Sequence, residues 1–338
     1  MSKLGFGLSL NNRALVYLPG YSIADLISLA EKAEELSFES LWVGDSLIDS
    51  PRFEPLTLLG AVASKTKKVK IGGSIIQPHF RNPIMLALSW ATLDRISLGR
   101  AILTLGIGGG TPKGVAKEAE LVGVDVTKRG KALEETVEIL RTLWRGDTLQ
   151  YDGAVYKMHD VKLGFRPTQN PPPIWIASGV YVPKDNVKQI SGTPGFTKKS
   201  HGGYSGSFNR VGRLADGWIT IMADPAEFKN SSELISNLAV DNKRKPSNII
   251  RAIECWFNVN SERDIARREV AEMIESYFGN PVDDQTIDRW SIYGTPDECI
   301  KRIEKYKEAG VQVMKLIMGS KDQISMLQKT SNEVLQSF

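Results

Sequence analysis

The sequence predicts an α/β fold of the (β/α)8 TIM-barrel class, and three observations carry that prediction. Short apolar runs rich in Val, Ile and Leu alternate with amphipathic segments along the chain. Eight such runs can be counted over 338 residues, which is the strand number and length of a barrel. Most of the runs are continuously apolar, as parallel strands covered on both faces require. No stretch reads as a linker, so the expectation is one domain over residues 1–338 with insertions after strands four, five and seven. A doubly wound open sheet is the main rival.

The elements follow in order. The first strand, LGFGLSL, leads to a helix at SIADLISLAEKAEELSF, with Ser22 as N-cap and Asp25 in the first turn. The second strand is SLWVGD, followed by a helix around Pro55 to Ser64, and the third is VKIGGSII. Pro83 opens the next helix as an N1 proline, before the fourth strand, AILTLGI. A long helix from about Lys128 to Trp144 precedes GDTLQYDGAVYKMHDVKL, which reads as a hairpin. The fifth strand is PPIWIAS, after which periodicity is lost from Gly179 to Phe208, a length that suggests a functional loop. The remaining strands are GWITIM, IIRAIECWFNV and VQVMKLIM, the last preceded by a helix capped by Thr295. A final helix runs from about Asp322 to Leu335. Trp42, Phe53, Trp90 and Trp218 are expected in the core.

Composition narrows the function. Charged residues make up 24% of the chain and nearly balance, with a net charge of +4, and no basic block marks a nucleic-acid partner. Cys255 and Cys299 lack metal-ligand spacing, so neither a metal site nor a disulfide framework is indicated. The N-terminus has no signal-like pattern and no apolar span is long enough for a membrane, which sets a cytoplasmic enzyme as the expectation.

The stretch LTLGIGGGTPKG, Leu103 to Gly114, tempts a dinucleotide-binding reading. Counting from Gly106, however, the sixth position is Thr111, and Pro112 and Gly114 stand where the helix of such a fold should already run. No Gly-Lys-Ser/Thr follows to make a P-loop. In a barrel the site lies instead at the carboxyl ends of the strands, which selects Asp45 and Ser46, Gln77 to Arg81, the run from Gly106 through Gly108 and Gly109 to Thr111, and Ser178 with Gly179. Glycines at the end of strand four let a flat or phosphorylated ligand approach the backbone, although a simple tight turn would also use them.

The blocks AEELSFESLWVGDS, IGGSIIQPHFRNP, ATLDRISLGRAILTLGIGGG, KRGKALEETVEILRTLW, NPPPIWIASG, RLADGWIT and YGTPDECIKRIEKYKEAG, in this order, resemble the bacterial luciferase-like oxidoreductases. Members use FMN or the deazaflavin coenzyme F-420. The resemblance, from the first strand to about Met318, implies a barrel with the cofactor ring across the mouth beside strands two, three and four. It also implies a non-prolyl cis peptide at Ser74–Ile75, forming a bulge against the ring in relatives that use F-420. The stretch GGYSGSFNR looks like the family's phosphate loop, so Ser205, Gly206, Ser207 and Arg210 would hold a terminal phosphate, or form part of a solvated linker.

One departure stands out. Many members carry a His after strand two, where this chain has Ser46 behind Asp45, and serine does not titrate near neutral pH. Asp45 and His79 are the candidate catalytic residues; His201 lies in the long loop, and His159 in the hairpin has no assigned role. The leading expectation is oxidation of a small organic substrate by reduced FMN and oxygen. Hydride transfer with coenzyme F-420 is the alternative, and a flavin-binding barrel without turnover is a further one. The resemblance also implies a homodimer.

Overall fold

The computed structural model describes residues 3–109, 111–181 and 205–338. Eight strands close into a parallel barrel: Gly5–Ser9, Ser40–Val43, Lys70–Ile76, Ala101–Leu105, Ile174–Ala177, Gly217–Ile221, Ile250–Val259 and Val313–Met318. Each pairs in parallel with the next, and the eighth returns to the first through Gly5 opposite Val313 to Leu8 opposite Leu316. The open sheet is thereby excluded. Numbered in this order, they are the strands that the apolar runs predict.

Helix boundaries follow local chemistry. Ser22 and Asp25 form a reciprocal capping box at helix Ile23–Glu35, and Thr295 with Glu298 forms another at Pro296–Glu308. Asn82 caps helix Pro83–Ile96, with Pro83 in its first turn. The hairpin is present as the antiparallel strands Leu149–Asp152 and Lys157–Val161.

Two segments differ from the sequence expectation. Pro112 and Gly114 do not prevent a helix: Pro112–Leu121 is helical, with Thr111 as N-cap. Proline in the first turn costs no hydrogen bond, and one glycine is a tolerable local loss in a helix held at its cap. The insertion after strand seven contains helices Arg263–Phe278 and Asp284–Trp290, and then a short strand, Ser291–Gly294, which pairs in parallel with Trp256 to Val259. Strand seven outlasts strand six, and this additional strand takes up the edge left beyond it.

Alternate residues point into the lumen. Trp42, Ile102, Trp175, Ile219 and Ala252 meet there, with the Trp42 and Trp175 rings 5.2 Å apart. The larger core lies between strands and helices and includes Trp90 and Trp218, as expected. Phe53 is instead 41% exposed. Its backbone carbonyl is held by Asn12 Nδ2 at 2.8 Å, which fixes the segment beside the barrel mouth.

Candidate active site at the carboxyl ends of the strands

Apolar side chains exposed to solvent gather around this end among the described residues: Leu47, Ile48, Phe53, Ile107 and Ile221. They stand at or just beyond strands two, four and six. An exposed apolar rim around a polar interior is the ordinary setting of a small-molecule site.

Strand three supplies the most distinctive backbone. The Ser74–Ile75 peptide is cis, as the resemblance implies, and the register against strand four shifts between Gly73 and Ile76. Ser74 and Ile75 are partly exposed, while Gly73 and Ile76 on either side are buried. Ile75 packs on Gly106, where an added Cβ would lie 2.5 Å from its Cδ1. Gly108 has φ +77°, and a Cβ there would meet the Gln77 amide oxygen at 1.9 Å; beside Gly109 the space is open. Only glycine meets both demands at position 108. The lumen-facing hydroxyl of Thr104 is buried beneath this wall without a hydrogen-bond partner.

Asp45 is buried and committed. Its Oδ2 accepts from the Gln77 amide at 3.0 Å and from Arg81 Nη1 at 2.5 Å, and its Oδ1 accepts from Arg81 Nη2 at 3.2 Å. Arg81 also reaches Glu54 at 2.8 Å. These carboxylates raise the Arg81 pKa despite its burial. In this arrangement Asp45 fixes the chain after strand three and is not poised as a free base.

Ser46 has a structural task. Its hydroxyl donates to Glu118 Oε1 at 2.8 Å, and the Leu47, Ile48 and Asp49 amides converge on the same oxygen at 2.7, 2.7 and 3.1 Å. Burial works to raise the Glu118 pKa, but the Ile48 and Asp49 amides, the Ser46 hydroxyl and the Leu47 amide together hold it below the usual range. Asp49 in turn binds Thr111 Oγ1 at 2.9 Å, tying this loop to helix Pro112–Leu121.

His79 sits in the turn Pro78–Phe80 and is 4% exposed. Burial, with a smaller contribution from the Arg129 charge, lowers its pKa to about 4, so the ring is neutral at pH 7. Its Nδ1 has no hydrogen-bond partner among the described residues. Ser178 lies beyond strand five and accepts from Trp218 Nε1 at 2.9 Å, with Gly179 half-buried beside it. Ser205 opens helix Ser205–Leu214, which also carries Gly206 and Ser207, and Arg210 Nε donates to Glu134 Oε1 at 3.2 Å. Gly202 to Tyr204 and His201 lie outside the described residues.

Several groups at this end escaped the sequence reading. Lys315, within strand eight, is 1% exposed, forms an ion pair with Glu254 of strand seven, and lies 3.4 Å from the Ser74 carbonyl oxygen. A lysine inside VMKLIM and a glutamate inside IECWF were the available signals, since charge in an apolar strand demands a partner. Arg52 donates to the Tyr277 hydroxyl and lies against Gly44 at the end of strand two. Tyr277 belongs to the insertion after strand seven and packs edge-on against Trp256 at 5.7 Å and Trp290 at 6.3 Å.

The family model described as luciferase-like monooxygenase matches residues 3–181, more than half of the chain. The chain belongs to this family. Among similar proteins, an F-420-dependent glucose-6-phosphate dehydrogenase of Amycolatopsis mediterranei is 29% identical, covering 92% of this chain and 93% of its own. A 5,10-methylenetetrahydromethanopterin reductase of Archaeoglobus fulgidus is 26% identical, covering 87% and 90%. The structure of monooxygenase RslO1 from Streptomyces bottropensis shares the fold, with TM-score 0.77 at 18% identity over 99% of both chains. This luciferase-like barrel is thus an oxidoreductase.

Proposed function

We propose that this enzyme moves a hydride between coenzyme F-420 and a small organic substrate. The observation that carries the proposal is the near full-length similarity to a dehydrogenase named for F-420, at 29% identity over 327 residues. The FMN-dependent monooxygenase expected first takes second place, supported by the likeness in fold to a monooxygenase.

The residues fit a flat ring. Ile75 and the backbone from Gly106 to Gly109 form a wall with space beside Gly109. When bound, the deazaflavin supplies a carbon centre that gives or takes a hydride. The protein's part is to bind and orient. Ile75 presents an apolar face, Gln77 holds Gly108 in register through its bond to the Asp45 carbonyl at 3.0 Å, and the rim side chains limit water. Ser205, Gly206, Ser207 and Arg210 are the proposed phosphate-holding group.

Fluorescence titration of the full chain with F-420 and with FMN, each oxidised and reduced, tests the proposal. Preferential binding of F-420 is expected. Tight binding of reduced FMN alone, with oxygen uptake on turnover, would replace it with the monooxygenase, and binding of neither would remove the cofactor assignment.

A further inference from the structure

Two carboxylates of the barrel are each taken by a cation: Asp45 by Arg81, and Glu254 by Lys315. Two further cations have no such partner. Arg13 and Arg52 are half-buried, and among the described residues neither has a carboxylate oxygen within ion-pair distance. Arg13 donates to Ser50 Oγ at 2.9 Å, and Arg52 to the Tyr277 hydroxyl. Both guanidinium groups gather on the Tyr277 ring, at 4.7 and 5.5 Å from its centroid. Among the described residues, the buried Nε of Arg52 has no hydrogen-bond partner.

Their position matters as much as their charge. A Cβ at Gly44 would lie 3.2 Å from Arg52 Cζ, so the guanidinium overlies the end of strand two, while Tyr277 reaches it from the insertion after strand seven. The cations therefore lie between the ends of strands one and two and the insertion after strand seven. The proposed ring lies beside strands two to four. Glu254 and Asp45 act on the Arg52 charge only at longer range, so the half-buried Arg13 and Arg52, with no ion-pair partner among the described residues, offer the donors and the charge that an oxyanion needs.

We infer that Arg13 and Arg52, gathered on Tyr277, form an oxyanion subsite that selects a substrate carrying a carboxylate or a phosphate. The assignment to substrate rests on the F-420 reading of the adjoining site beside strands two to four. Isothermal titration of the full chain with inorganic phosphate and, separately, with acetate tests it, with and without saturating F-420. At least one anion should bind, and remain bound when F-420 is present, with the stronger of the two identifying the group carried by the substrate. Arg52→Gln should weaken that anion by roughly tenfold or more, Arg13→Gln should weaken it less, and Arg52→Lys should restore only part of the loss. Binding of neither anion, or unchanged affinity in both glutamine variants, would overturn the subsite. Loss of anion binding on addition of F-420 would also overturn it, because the arginines would then hold the cofactor. If Arg52→Gln does not fold, Arg13→Gln and Arg52→Lys decide. An anion that binds to a protein with no affinity for F-420 would leave the subsite standing and defeat the cofactor reading instead.

Discussion

Beside strands two to four, the charged groups at the barrel mouth are matched: Asp45 holds Arg81, and Glu118 gathers the loop from Ser46 to Asp49. Next to this region, between the ends of strands one and two and the insertion after strand seven, Arg13 and Arg52 lean on an aromatic ring with no carboxylate in ion-pair contact among the described residues. The first region is shaped largely by backbone: a cis peptide, glycines without room for a side chain, and amides converging on carboxylates. The second is shaped by side chains of strand seven and the insertion after it, Trp256, Tyr277 and Trp290. Satisfied polar groups fix a geometry, whereas unmatched charge leaves a demand that a ligand can meet. The comparison assigns rigidity to the proposed cofactor side and selectivity to the other.

Three measurements break or sharpen this contrast. The largest effect is expected from Arg81→Met, which strands the Asp45 carboxylate, 2% exposed, without its cation. Urea unfolding should show a loss of about 3–5 kcal/mol. A loss no greater than that of an ordinary surface substitution would mean that the matched side is not held by this pair.

His79 gives the next effect. Its pKa falls from the ordinary 6.5 to about 4, because burial disfavours the charged ring. Between these values the unfolded chain binds more protons than the folded one, so stability is present above pH 6.5 and is lost as pH falls toward 4. The contribution is about 3 kcal/mol, and His79→Gln should remove that part of the acid limb in unfolding measured across pH. An unchanged limb would show that His79 titrates normally.

Ser46→Ala is expected to have the smallest effect. Losing one hydrogen bond to Glu118 should cost about 1–2 kcal/mol, because three backbone amides still hold the carboxylate. The thermal midpoint should fall slightly while F-420 affinity stays near the parent value. A large drop in turnover without a change in stability would show that the hydroxyl acts in the reaction.

Legibility in the sequence followed the range of the interactions. The strands were visible because continuous apolar runs report burial on both faces, and the helix starts at Ser22, Pro83 and Thr295 because a helix N-terminus concerns neighbours only. Helix Pro112–Leu121 was missed because proline and glycine are poor formers in the interior; its support comes from Asp49, which binds the Thr111 cap from another loop. Phe53 was expected inside because it is aromatic, yet the Asn12 contact fixes its backbone at the rim. At the candidate site, the resemblance pointed to Ser74–Ile75 and the glycine run. The commitments of Asp45 to Arg81 and of Ser46 to Glu118 were not legible, because their partners lie 36 and 72 residues away.

The sequence by itself determined the alternation of eight apolar strands with amphipathic helices, which leaves few ways to bury both kinds of face, and the pairing of strand eight with strand one then chose the closed barrel over the open sheet. The tertiary structure alone decided which charges are spent and which are left over. Asp45, Glu118, Arg81, Arg52 and Lys315 are equally charged letters in a sequence. Their roles differ only because folding places carboxylates in contact with some cations, while Arg13 and Arg52 are brought together on Tyr277 with no carboxylate within ion-pair distance among the described residues.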